Sequence, residues 1–165
     1  MTRRAAAVLA AFCFLVGGLT TGCSSAAAAD LRTGDCLKVG GPPDRPEAIK
    51  AQCGSAESNY KVIATVATGD ECPTDADSYY SMHSTFGDGG GTTCMDIDWV
   101  PGGCMSIDPE HGRDPIRVDC GDSTQPHRQR ATQILQGVAN VDQCGSGLGY
   151  PYDQREFTVC VEDVS

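Results

Sequence analysis

Ile49-Lys50-Ala51-Gln52-Cys53-Gly54 and Ile116-Arg117-Val118-Asp119-Cys120-Gly121 are two versions of one short phrase. Each has an apolar residue, a base, a small or branched residue, a polar residue, a cysteine and a glycine in the same order. Working outward, the matches continue. Upstream lie Cys36-Leu37-Lys38-Val39 and, in the other half, Cys104-Met105-Ser106-Ile107. Between them fall turns with Pro43, Arg45 and Pro46, against Pro109, Arg113 and Pro115. Downstream come Asp70-Glu71-Cys72 and Asp142-Gln143-Cys144, then Tyr79 and Tyr80 against Tyr150 and Tyr152. Last come Cys94-Met95-Asp96 and Cys160-Val161-Glu162. Four cysteines in matched order with matched neighbours mark an internal duplication. The halves run over 33–99 and 103–165, joined by a linker at 100–102.

Short alternating runs bounded by Gly, Pro and Asp point to strands. Cys36 to Val39, Ile49 to Cys53, Lys61 to Ala67, Thr92 to Trp99 and Phe157 to Val161 all read this way. Arg130 to Val138 is more polar and reads less clearly, and Cys72 to Met82 reads as a short helix or a loop. Gly145 to Gly149 is too rich in glycine for a stable helix. Gly87 to Gly91 reads as a loop insertion; it carries no Lys and opens no helix, so it is not a phosphate loop. The expected class is mostly β with minor α (small α+β). It comprises two tandem modules of about four short, mainly antiparallel strands each.

Halves of this size build a marginal core, and the cysteines supply what is missing. Eight remain besides Cys13 and Cys23, an even number that reads as a disulfide framework in an exported chain. Zinc prefers closer pairs such as C-x2-C, and the nearest here are Cys94 and Cys104, so no metal is expected. Sequence alone leaves the connectivity open. First-with-second and third-with-fourth is expected, because those pairs enclose short segments containing a turn: Cys36–Cys53, Cys72–Cys94, Cys104–Cys120 and Cys144–Cys160.

The beginning of the chain supplies the compartment. Arg3 and Arg4 precede an apolar run from Ala5 to Leu19, of signal-peptide length and too short to span a bilayer comfortably. Leu19-Thr20-Thr21-Gly22-Cys23 follows, with small residues before a cysteine as in a lipoprotein-processing site. The expectation is a signal peptide over 1–22, a lipidated Cys23 and a linker over 23–32. The anchor holds the protein to the outer face of the cell membrane. Several acyl chains bind far more firmly than one, at roughly 0.8 kcal/mol per buried methylene. Loss of 1–22 removes two arginines and no acid, taking the net charge from −10 to −12. Such a surface repels nucleic-acid phosphates and anionic headgroups, so no nucleic-acid partner is expected. The expected partners are the membrane, through the lipid, and an envelope protein or wall component.

The mature chain resembles a family of actinobacterial envelope lipoproteins, the LppU type of mycobacteria. The resemblance rests on Cys23, Thr33 to Cys36, Ile49 to Gly54, Cys94 to Trp99, Gly103 to His111 and Pro126-His127-Arg128. The Gly-Asp-Cys start, the strand ending in Cys and the Pro-His are similar to a module of septum-formation proteins. The first half has Glu57-Ser58-Asn59 where the second has Pro126-His127-Arg128, and the second has Gly102-Gly103 where the first has Gly34-Asp35. The resemblance implies location and fold rather than chemistry.

Catalytic patterns are weak. Gly145-Ser146-Gly147 is not a nucleophile elbow, and no C-x-x-C is present for thiol exchange. Asp96 and Asp98 are expected as solvated acids on a strand face rather than as calcium ligands. His127 is expected to hydrogen-bond a backbone carbonyl and pin its loop. Non-catalytic binding or scaffolding is the expected role, with His127, Tyr79, Tyr80, Tyr150 and Tyr152 as candidate contacts and no cofactor. An enzyme acting on envelope glycan or lipid, and a lipid or small-ligand carrier, are the alternatives. An exposed tyrosine cluster would favour binding, an apolar cavity of several hundred Å³ the carrier, and a His–acid–hydroxyl cleft the enzyme.

Overall fold

The computed structural model describes residues 31–42, 45–82, 90–108 and 110–165. Cys23, the leader and most of the linker, His83 and the first part of the glycine loop lie outside the described residues. Ten strands run in chain order: β1 (Cys36–Gly40), β2 (Glu47–Ala51), β3 (Tyr60–Val66), β4 (Ser78–Met82), β5 (Gly91–Ile97), β6 (Cys104–Ser106), β7 (Ile116–Val118), β8 (Arg128–Gln136), β9 (Leu148–Tyr152) and β10 (Phe157–Val164). They form two five-stranded antiparallel sheets, ordered β2-β1-β3-β5-β4 and β7-β6-β8-β10-β9. The order is the same in both, so the duplication extends from sequence to topology. Each module has five strands rather than four, and the described residues contain no α-helix. The only helical element among them is a single 3-10 turn at Gly69–Glu71. The segment after Cys72, read as helix or loop, becomes a turn and then β4.

Register repeats as well. Leu37 pairs with Tyr60 and Lys50 in one sheet, and Met105 with Gln129 and Arg117 in the other. Both sheets carry a β-bulge at the same point. Ile63 of β3 is skipped in the pairing with β5, and Thr132 of β8 in the pairing with β10. A bulge bends the strand and increases its twist, so both sheets are bent in the same place. Each module begins alike: Gly34 donates to Val62 O at 2.8 Å, and Gly102 to Ala131 O at 2.7 Å. Both glycines have positive φ (96° and 85°), a conformation that costs glycine little.

Leu37, Val39, Tyr60, Val62 and Met95 fill the first core. Met105, Ala131, Tyr152, Val159 and Val161 fill the second, and Ile97 packs against both. Two residues cross the boundaries read from sequence. Leu31, placed in the linker, is buried in the first core, and Trp99, at the end of the first half, is buried in the second. Four disulfides join Cys36–Cys53, Cys72–Cys94, Cys104–Cys120 and Cys144–Cys160, closing segments of 16 to 22 residues. Each is worth about 3 kcal/mol through the entropy it removes from the unfolded chain.

Candidate functional site

Two seams of side chains hold the modules together. The first is centred on Arg155, in the turn between β9 and β10. Its Nε donates to Asp75 Oδ1 at 2.8 Å and its Nη2 to the Asp75 carbonyl at 2.9 Å. On the other side the guanidinium grips Asp96 of β5, through Nη1 to Oδ2 and through Nη2 to Oδ1 at 3.0 Å. Its face lies 4.9 Å and 5.3 Å from the Tyr152 and Phe157 ring centroids, and those rings stack on each other at 4.2 Å. A planar fork with five donors suits this combination of two carboxylates and an aromatic face. Around it the Tyr152 hydroxyl donates to Asp77 Oδ2 at 2.7 Å, and Ile97 N donates to the same oxygen at 2.8 Å. Gln154 Oε1 accepts from Thr74 N at 2.9 Å.

The second seam is centred on Asp98. Its Oδ2 accepts from Gly54 N and Ser58 Oγ, both at 2.6 Å, and from Arg117 Nη2 of β7 at 3.2 Å. Arg117 also donates to the Asp98 and Ser58 carbonyls. Beside it Asn59 Nδ2 donates to Pro115 O at 3.0 Å, and the Tyr60 hydroxyl to Asp114 at 3.2 Å. Arg117 occupies the position that Lys50 holds in the first module, where the lysine pairs within its own module with Asp35 at 2.7 Å. The duplicated base thus holds one module together in one copy and bridges the two modules in the other.

These seams overturn the expectation that Asp96 and Asp98 are solvated. The two residues are only 8% and 5% exposed. Burying a carboxylate demands a partner, and the arginines of the second module supply it. Burial still raises the Asp96 pKa above the ordinary carboxylate value, with Arg155 opposing the shift. The Tyr152 hydroxyl is likewise pushed above the ordinary phenol value, by burial and then by the Asp77 charge. Asp98 also lies near the sulfurs of Cys36 and Cys53, but those are oxidised to a disulfide and offer no thiolate to a metal.

The tyrosines do not form an exposed cluster. Tyr152 is buried in the second core, and Tyr150 is half-buried with its ring 5.3 Å from that of Trp99. Tyr80 packs against the first core, while Tyr79 is 62% exposed. Alternation along β4 and the packing of β9 against Trp99 separate them. His127 is exposed with φ at 50°, and among the described residues its imidazole makes no hydrogen bond. Its carbonyl accepts from Ile107 N at 3.1 Å, and the loop is pinned instead by buried Arg128, which donates to the Asp122 and Val164 carbonyls. His111 pairs with Asp108 at 2.8 Å on the surface and holds that carboxyl below its ordinary pKa.

Two open clefts flank the first seam. One, of about 290 Å³, lies over Arg155 and Asp96 and is walled by Ile63, Ile97, Ile134 and Phe157. The other, of about 400 Å³, lies beside β4 and includes Asp70, Pro73, Thr74, Ala76 and Tyr79 in its lining. The segment 72–77 separates the seam from this second cleft, fixed by the Cys72–Cys94 disulfide at one end and by Arg155 near the other. No family model, curated protein or solved structure matches the chain.

Proposed function

We propose that this chain is an exported protein of the cell envelope, held by lipid on Cys23 to the outer face of the membrane. There it acts as a non-catalytic binding or scaffold module, in the manner of the LppU-type lipoproteins it resembles. The observation that carries this reading is the pair of arginine seams. They commit Asp75, Asp96 and Asp98 to structural pairs and join two small modules into one platform with preformed surface clefts. Preorganised surface is what a binding module requires, because little entropy remains to be lost on contact. Both clefts are open-sided, and the larger has polar lining from Asp70, Thr74 and Ser78, which suits recognition of a surface better than enclosure of a lipid.

Cross-linking tests the reading. A photoreactive amino acid placed at exposed surface positions, Tyr79 and His127 among them, is activated in intact cells. A reproducible covalent adduct to an envelope protein or wall component is expected. If no position yields an adduct while the purified protein turns over a wall fragment, the enzyme reading replaces this one. The anchor has its own test: Cys23→Ala should move the protein from the membrane fraction to the soluble fraction.

A further inference from the structure

Each sheet has two edges, and three of the four are guarded. Edge strands attract foreign strands unless charge, proline or brevity prevents it. β2 carries Glu47 and Lys50, β7 is three residues long and follows Pro115, and β9 contains Pro151. β4, Ser78-Tyr79-Tyr80-Ser81-Met82, has neither charge nor proline. It is last in its sheet, with no described strand on its outer side. The 400 Å³ cleft opens at the Ser78–Tyr79 end of this strand. Tyr79 stands over it above Gly69, where a Cβ would lie 3.2 Å from the ring. A glycine there leaves room for the ring to settle.

Resting on the binding-module reading, we propose that β4 is a docking edge that takes an extended, cationic segment of a partner polypeptide as a sixth strand. Main-chain hydrogen bonds to the outer side of β4 supply the affinity, as in strand addition generally. Alternate side chains of the added strand face the same way. The set on the Tyr79 face carries the lysine or arginine, whose stems lie along Tyr79 while their charged ends reach Asp70 in the cleft lining; the apolar set lies on the other face. The sign of the partner's charge follows from the surroundings. The cleft lining contains no Lys, Arg or His, and the chain carries a net charge of −10. The same charge opposes pairing of β4 with β4 of a second copy. The floor is fixed before the partner arrives, because Cys72–Cys94, Thr74–Gln154 and Asp75–Arg155 all hold its loop.

The full oxidised chain is titrated with a capped hexapeptide of alternating valine and lysine, and with its valine–glutamate counterpart. Amide hydrogen exchange is read along Ser78–Met82. The lysine peptide should bind and slow exchange there by at least about tenfold, as an exposed edge becomes a paired one. Asp70→Lys, at an exposed site outside every seam contact, should weaken binding about fivefold, the effect of one surface charge pair. Tyr79→Lys should abolish protection by installing on β4 the kind of charge that guards β2. Equal protection by the glutamate peptide would overturn the proposal, as would no protection by either. Pre-existing protection that rises with protein concentration would also overturn it, in favour of a second copy. Cross-links in cells from other positions with none from Tyr79 would remove this edge and leave the binding-module reading standing.

Discussion

Arg155 shows how unequal the two members of an ion pair can be. Replacing it with methionine keeps most of the stem that covers Tyr152 and Phe157 but leaves Asp75 and Asp96 without their cation. Unpairing a largely buried carboxylate is strongly destabilising, so Arg155→Met should cost about 3 kcal/mol in chemical denaturation. Asp96→Asn should cost less, because it removes a charge that burial disfavours. The sign of the pH effect follows from the raised pKa of Asp96. A group whose folded pKa lies above its unfolded value contributes stability that is present below the unfolded pKa and lost as pH rises through the folded one. Asparagine does not titrate. The stability of Asp96→Asn relative to the unmodified protein should therefore improve as pH rises from about 3 to 7. A relative loss over that range would show that Arg155, not burial, dominates the carboxylate.

Among the glycines in the described strands, Gly149 of β9 has the least room. Gly149 lies opposite Cys160, and a Cβ there would come within 2.7 Å of Val159 O and 3.3 Å of Cys144 Sγ. Backbone cannot yield cheaply, so Gly149→Ala should lower stability by about 2 kcal/mol and loosen the β9–β10 pairing. Amide exchange in Leu148–Tyr152 would show the loosening. At the equivalent place in the first module stands Tyr79, on the edge proposed for docking, so one position has diverged from packing to exposure. The strands that matched their sequence were those with clear alternation, such as β1 and β10. β8 was obscured by Gln129, Gln133 and Gln136, whose amides serve as half-exposed or exposed side chains on a bent strand. The bulges at Ile63 and Thr132 leave no local mark, because neither position needs glycine.

For the whole molecule, the duplicated cysteines make the two-module plan legible, since four of them recur in matched order with matched neighbours. The seams were not legible. Asp96 and Asp98 looked like surface acids, and Arg155 is 59 residues from Asp96 with no nearby residue to mark it. The pairs Asp75-Ala76-Asp77 and Asp96-Ile97-Asp98 were the available sign, being too closely spaced to bury without cations from elsewhere. Trp99 carries a prediction at this scale. It belongs by sequence to the first half and packs in the second core. A fragment beginning at residue 103 should be less stable than one beginning at 99 by about 3 kcal/mol, the cost of emptying a tryptophan site. Thermal unfolding of the two oxidised fragments would show whether the side chain is a structural part of the second module.

Every disulfide joins a cysteine to the next framework cysteine along the chain. In a polypeptide that meets an oxidase N-terminus first, the first cysteine of each pair is followed by its own partner before any other framework cysteine emerges. Oxidation of the framework cysteines in that order gives the native pairing with no bond to reshuffle.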